Sequence, residues 1–104
     1  MHDIVNELEF FTVIVGRKQR KALVEAVSRG GGRAVNIVYG KGSVDAGYLK
    51  DAFGLVQEEN KVVITCLLSK KRSAGMFEML IREFHFDKPN TGIAFAVPVD
   101  RLLF

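Results

Sequence analysis

The stretch from residue 34 to residue 68 decides the fold, because it holds two strands joined by an unusually long connection. It reads AVNIVY over 34–39, GKGSVDAGYLKDAFGLVQEEN over 40–60 and KVVITCLL over 61–68. The first and third segments are rich in β-branched residues, which predicts strands. The connection has about twenty residues where a hairpin loop has two to five, a length typical of functional or disordered loops. We interpret this loop as the functional part of the chain.

The flanking segments complete a strand–helix–strand–strand–helix–strand order. Phe10–Val15 and Ile93–Val99 are predicted to be the first and last strands, and Pro98 predicts that the last strand lies at an edge or ends there. Arg17–Arg29 and Ser73–Phe84 carry apolar residues at helical spacing. The order predicts an α+β, ferredoxin-like βαββαβ fold. It has one antiparallel sheet, two helices on one face and a long loop between the second and third strands.

The predicted strands are apolar on both faces. Two helices cover only one face of a sheet, so the other apolar face must be buried elsewhere. This predicts a homo-oligomer packed through the open sheet face. In the first strand, alternation separates two sets: Phe10, Thr12 and Ile14 on one face, and Phe11, Val13 and Val15 on the other.

Length and composition indicate one globular domain over residues 1–104. The chain is 48% hydrophobic and 26% charged, as in soluble globular proteins. Its single cysteine, Cys66, and an acidic start, Met1–Glu7, where a signal peptide would be basic, lead us to expect a cytoplasmic protein. The net charge of +3 permits anionic partners without requiring nucleic acid, and nucleic acid is not an expected partner.

Catalytic and metal-binding patterns are weak in this sequence. His2, His85 and Cys66 have no carboxylate or second thiol at a triad or metal-ligand spacing. We therefore predict no enzyme activity, no catalytic residue and no metal site. Basic clusters open both helices, at Arg17–Lys21 and Lys70–Arg72, and are either solvated surface charge or sites for a phosphate or carboxylate.

Four short motifs resemble the PII (P-II) nitrogen regulatory signalling family, in order and over nearly the whole chain. Residues 22–26, ALVEA, are similar to its first helix, and residues 38–42, VYGKG, resemble the Gly-x-Gly at the base of its long T-loop. Residues 61–64, KVVI, resemble its third strand, and residues 91–99, TGIAFAVPV, resemble its fourth. The sequence is identified as a divergent, PII-like signalling protein.

This resemblance implies a homotrimer with effector clefts between subunits and a T-loop that controls a regulated enzyme or a membrane transporter. The implied effector is a small anion, an adenine nucleotide such as ATP, ADP or AMP, with no firmly assigned cofactor. The implied effector-binding residues are Gly40, Lys41, Gly42, Lys61, Lys88, Asn90, Thr91 and Gly92. The implied partner-binding loop residues are Ser43, Val44, Asp45, Tyr48 and Lys50.

The sequence also departs from the family pattern. Ser43 and Val44 follow Gly-x-Gly where the family usually has Arg-Gln, so the resemblance does not extend to 2-oxoglutarate sensing. Two functions of other classes remain open: a ferredoxin-like small enzyme of the acylphosphatase type, and a nucleic-acid-binding module. Residues 43–57 lack strand alternation, which predicts poor order or support from another subunit.

Overall fold

The computed structural model of the chain describes residues 7–40, 61–89 and 91–103. It confirms the predicted α+β class and the ferredoxin-like element order. The predicted mobility of residues 43–57 falls outside the described residues. The elements are β1 (Leu8–Gly16), a 3-10 turn (Arg17–Gln19), α1 (Arg20–Arg29), β2 (Arg33–Gly40), β3 (Lys61–Ser69), α2 (Lys70–Phe84) and β4 (Ile93–Pro98).

The four strands form one antiparallel sheet in the order β2-β3-β1-β4. The first strand is central because β3 and β4 pair on either side of it. The last strand lies at an edge, as Pro98 predicted, since proline has no N–H to donate to a further ladder. The other edge strand, β2, has an irregular register between Arg33 and Asn36, where Ala34 adopts a positive φ of 53°.

The core lies between the two helices and one face of the sheet. Alternate residues of β1 and β3 point into it: Phe11, Val13 and Val15 from β1, and Val62, Ile64, Cys66 and Leu68 from β3. The helices contribute Leu23, Ala26, Val27, Met76, Met79 and Leu80. The rings of Phe11 and Phe77 meet with their centroids 4.8 Å apart. Burial of this apolar set is the main favourable term in folding.

Both helices begin differently from the sequence prediction. The first three residues of the predicted first helix form a 3-10 turn, so α1 begins at Arg20. The second helix begins at Lys70 rather than Ser73, because the Ser69 side chain caps it by accepting a hydrogen bond from the Arg72 backbone N–H. No helix in the described part of the chain is long and apolar enough to cross a membrane.

The sheet face away from the helices is apolar and partly exposed, although Thr12 and Ile14 of the central strand are buried on it. Phe10, Val38, Phe95 and Val97 are each more than a third exposed on it. Register places Phe95 of β4 beside Thr12 of β1, and Val97 beside Phe10. Large contiguous apolar patches on a protein surface mark interaction sites. The structure thus has the two-faced apolar sheet that the sequence predicted.

The single cysteine is part of the core rather than of a reactive site. Cys66 is buried, and it packs so close to Gly32 that a Cβ added at that glycine would lie 3.0 Å from the Cys66 Sγ. Burial raises the pKa of the Cys66 thiol. A raised pKa keeps the thiol neutral, and the thiolate is the nucleophile.

Cys66 is therefore expected to react with a thiol reagent at least about 100-fold more slowly in the native protein than in concentrated denaturant. Because the neutral thiol is favoured in the fold, its contribution to stability is present below the thiol's unfolded pKa. That contribution is lost as the pH rises through the higher folded pKa. Reagent kinetics in native and unfolded protein measure the protection, and equal rates would contradict the burial of this thiol.

Candidate functional site

One end of the sheet gathers the residues that the sequence analysis assigned to the base of the long loop. Gly40 at the end of β2 pairs with Lys61 at the start of β3, and Lys61 pairs in turn with Gly16 at the end of β1. These three positions form a row across neighbouring strands. The cationic segment Arg17–Arg20 continues directly from that row.

Tyr39 sits beneath two guanidinium groups at this end of the sheet. The Cζ of Arg17 lies 5.0 Å from the centroid of the Tyr39 ring, and that of Arg20 lies 5.9 Å from it. The Nη1 of Arg20 also donates a 2.7 Å hydrogen bond to the Tyr39 hydroxyl. A cation over an aromatic face is attracted by the ring quadrupole, so Tyr39 holds both arginines at the base of the loop.

The electrostatics of this cluster favour an anionic ligand. Neither the 3-10 turn nor the first turn of α1 carries an acidic residue. Arg17 and Arg20 place two guanidinium groups over Tyr39, and Lys61 adds a third cation within the Gly16–Lys61–Gly40 row itself. Guanidinium groups present several N–H donors in a planar fork that matches carboxylate and phosphate oxygens. We call Arg17, Arg20, Tyr39, Gly40 and Lys61 the loop-base cluster.

The segment after α2 is a compact turn at the same end of the sheet. His85 caps α2 in the left-handed conformation, and the Lys88 N–H donates to the His85 carbonyl at 2.9 Å. The Thr91 hydroxyl lies 2.8 Å from the carbonyls of both His85 and Lys88 and donates to one at a time. The ring of Phe86 covers Gly92 so closely that a Cβ there would lie 2.5 Å from its Cζ.

The structure brings together only part of the predicted effector site. Gly40 and Lys61 pair directly, whereas Lys88, Thr91 and Gly92 lie by the opposite edge strand of the sheet. Three strand spacings, roughly 14 Å, separate the two edges. Lys41, Gly42 and Asn90 lie outside the described residues, as do the predicted partner-binding residues Ser43, Val44, Asp45, Tyr48 and Lys50.

Sequence reasoning did not assign Arg20 and Tyr39 to the site. Two signals were present in the sequence. Arg20 follows Arg17 by three residues, which places both on one side of a helical turn. Tyr39 is an exposed-type aromatic residue directly before the glycine turn, and its strand partner Val62 points to the helix side of the sheet.

The described residues show no catalytic constellation. No group of three His, Cys, Asp or Glu side chains within them could hold a metal ion. His85 is an exposed helix cap and Cys66 a core residue. The loop-base cluster instead consists of cations, an aromatic ring and glycine backbone, which suits binding of an anion.

Solved structures with a similar fold include PII-like proteins. The apo form of CPII from Thiomonas intermedia K12, a nitrogen regulatory PII-like protein, matches with a TM-score of 0.65 and 13% identity over 86% of each chain. PII of Arabidopsis thaliana bound to citrate matches with a TM-score of 0.63 and 16% identity, over 90% of this chain and 78% of that one. This chain has the PII-like fold.

The structures of this fold include several with small anions and adenine nucleotides. CPII bound to ADP, AMP and acetate matches the chain with a TM-score of 0.62 and 16% identity, over 86% of this chain and 82% of that one. CPII has also been solved with ADP, AMP and bicarbonate. At these identities the similarity establishes the fold alone. No protein-family model and no curated protein sequence matches the chain.

Proposed function

We propose that the chain is a non-enzymatic, PII-like regulatory protein that binds a small anionic effector at the loop-base cluster. The observation that carries this proposal is that Arg17 and Arg20 lie over Tyr39 and that Lys61 pairs with Gly40, where the long β2–β3 connection begins and ends. An anion bound there contacts both ends of the connection. Its binding is thereby coupled to the conformation of residues 41–60.

The proposed effector is an adenine nucleotide, ATP, ADP or AMP. Support comes from the fold, since CPII has been solved with ADP and AMP. It also comes from the chemistry of the cluster, which offers guanidinium and ammonium groups for phosphate oxygens. The turn from Lys88 to Gly92, contributed by a neighbouring subunit, completes the proposed site. Its place by the opposite edge of the sheet keeps it from Gly40 within one subunit.

The proposed assembly is a homotrimer formed through the uncovered sheet face. That face presents apolar side chains from β1, β2 and β4 to solvent in the single chain, and burying them is favourable. A trimer brings each loop-base cluster near another subunit, as the site requires. The long loop is then proposed to bind a regulated enzyme or a membrane transporter in a cytoplasmic setting, with effector binding shifting the loop between conformations.

The apolar character of the sheet face also bears on the nucleic-acid alternative. A sheet that binds RNA uses exposed aromatic rings together with cationic groups that track the phosphates. Here the exposed aromatics Phe10 and Phe95 stand among Ile14, Val38 and Val97. These apolar surroundings suit packing of the sheet face against another apolar surface. For the acylphosphatase alternative, a loop after β1 would need to cradle the substrate phosphate, yet β1 runs directly into the Arg17–Gln19 3-10 turn.

The test is calorimetry with ATP, ADP and AMP on the wild-type protein and on Arg17→Ala and Lys61→Ala variants. Each substitution is expected to weaken nucleotide binding roughly 10- to 100-fold, the effect of losing a charged hydrogen bond. Lys71→Ala is the matched control, since it removes an exposed cation at the start of α2, at the opposite end of the sheet. We expect its affinity to stay within about twofold of wild type. Nucleotide binding that is insensitive to Arg17 and Lys61 would place the effector elsewhere.

A further inference from the structure

A cavity of about 320 Å³ lies between the two helices, on the opposite side of the sheet from the uncovered face. Its floor is apolar, because Ala26, Met76 and Met79 line it and are almost fully buried. Its rim is charged, with Arg29, Arg72, Arg82 and Glu83 around it. We call this cavity the interhelix groove. It belongs to neither the loop-base cluster nor the sheet face.

The charges of the interhelix groove are divided between its two ends. Arg72 lies in the first turn of α2 and Arg82 in its last turn, roughly 15 Å further along the helix. Arg29 joins Arg82 at the far end, where its Nη2 lies 3.2 Å from the Glu83 Oε1. The negative charge of Glu83 offsets the positive charge of one of these two arginines. Each end of the groove therefore carries one net positive charge, with an apolar floor between them.

Two of the guanidinium groups are held in place by the protein. Arg29 is paired with Glu83. Arg72 packs on the backbone of Gly31, which has a φ of +99° and where any Cβ would collide with the Arg72 side chain. Side chains that are already ordered lose less conformational entropy when a ligand binds. These contacts order one guanidinium group at each end of the groove before a ligand binds.

Gly75 leaves the middle of the groove open. It lies in the interior of α2, where glycine is destabilising relative to alanine. A Cβ at this position would meet no atom of the described chain within 4 Å, so packing inside the subunit does not require a glycine. Glycine in such a place permits close approach of a ligand to the backbone.

We propose that the interhelix groove binds a small, elongated organic dianion with one carboxylate or phosphate at each end and an apolar middle. One anionic end pairs with Arg72 and the other with Arg29 and Arg82, while the apolar middle covers Met76 and Met79 beside Gly75. The volume is at the lower end of the range for small-molecule sites. This ligand is distinct from the proposed nucleotide, since no residue of the loop-base cluster lines the groove.

The test is an NMR titration of the full chain with straight-chain α,ω-dicarboxylates from glutarate to sebacate, following the arginine side-chain N–H resonances. We expect shifts at Arg29, Arg72 and Arg82 and an affinity that peaks at one intermediate chain length. At that length the monocarboxylate of equal carbon number is expected to bind at least about fivefold more weakly, because it satisfies only one end.

Three variants distinguish binding in the groove from nonspecific electrostatic attraction of anions. Arg72→Ala is expected to weaken the best dicarboxylate roughly 10-fold, to the level of the monocarboxylate. The matched control Lys71→Ala removes the neighbouring exposed cation and is expected to change affinity less than about twofold. Gly75→Leu is expected to abolish binding while preserving thermal stability, since leucine is the better helix former.

Several outcomes would overturn the proposal. One is the absence of shifts at the three groove arginines with every dicarboxylate up to roughly 20 mM. Another is equal weakening by Lys71→Ala and Arg72→Ala, which would indicate diffuse attraction alone. Shifts confined to Arg17 and Arg20 would assign these anions to the loop-base cluster. Unchanged binding in a folded Gly75→Leu protein would show that the ligand does not enter the groove.

Discussion

Replacing Phe95 by Glu is expected to convert the proposed trimer into a monomer. Phe95 lies on the uncovered face of β4, beside Thr12 of the central strand, and is 39% exposed in the single chain. In a trimer built through this face, the substitution would bury a carboxylate in each subunit without a cationic partner. Desolvating an unpaired charge costs several kcal/mol, more than an interface of this kind tolerates.

Light scattering at micromolar concentration measures the change. We expect the mass to fall from three copies of the 11.6 kDa chain, about 35 kDa, to a single copy. The matched control is Ile81→Glu, which introduces the same charge at a 48% exposed hydrophobic residue of α2, away from the sheet face. A trimer that survives Phe95→Glu would rule out this face as the interface, and a monomeric wild-type protein would contradict the trimer itself.

Replacing Phe11 by Ala is expected to lower the free energy of unfolding by about 3–5 kcal/mol. Phe11 is fully buried in the central strand, and its ring packs on that of Phe77 from α2. The substitution removes both the apolar area and the contact that joins the sheet to the helix. The surrounding strands cannot close the resulting cavity, because β3 and β4 fix the register of β1 on both sides.

Phe10 is the natural comparison, because it is the neighbouring aromatic residue on the opposite face of the same strand and is 42% exposed. Both alanine substitutions are best measured in the Phe95→Glu background, so that assembly does not enter the comparison. Phe10→Ala is then expected to cost about 1 kcal/mol or less in denaturant unfolding. Similar costs for the two substitutions would mean that the helices do not cover the face that carries Phe11.

Elements with a strong local pattern were predictable from the sequence. The apolar stripe of α2 ends at the predicted residue, and the β-branched run of β3 ends one residue beyond the predicted one. The first residue of α2 was less predictable, since the side chain that caps this helix belongs to Ser69, a residue that also ends β3. A strand–helix junction without an intervening loop leaves no glycine or proline to mark it.

The candidate site was only partly predictable for a different reason. The pairing of Gly40 with Lys61 followed from two consecutive strands flanking one loop. The contact between Arg20 and Tyr39 joins residues 19 positions apart, and that between Arg29 and Glu83 joins residues 54 positions apart. Local periodicity carries no information on such pairs, because they depend on where a helix lies over a sheet.

The sequence by itself determined the element order, the long β2–β3 connection and the presence of two apolar sheet faces, because hydrophobic periodicity and strand alternation are local properties. Tertiary structure alone decided which cations meet. It placed Arg17 and Arg20 over Tyr39, and it laid Arg72 on Gly31 at the rim of the interhelix groove. The physical reason is that long, flexible arginine side chains take their positions from contacts between elements, which the register of the sheet and the packing of the helices create.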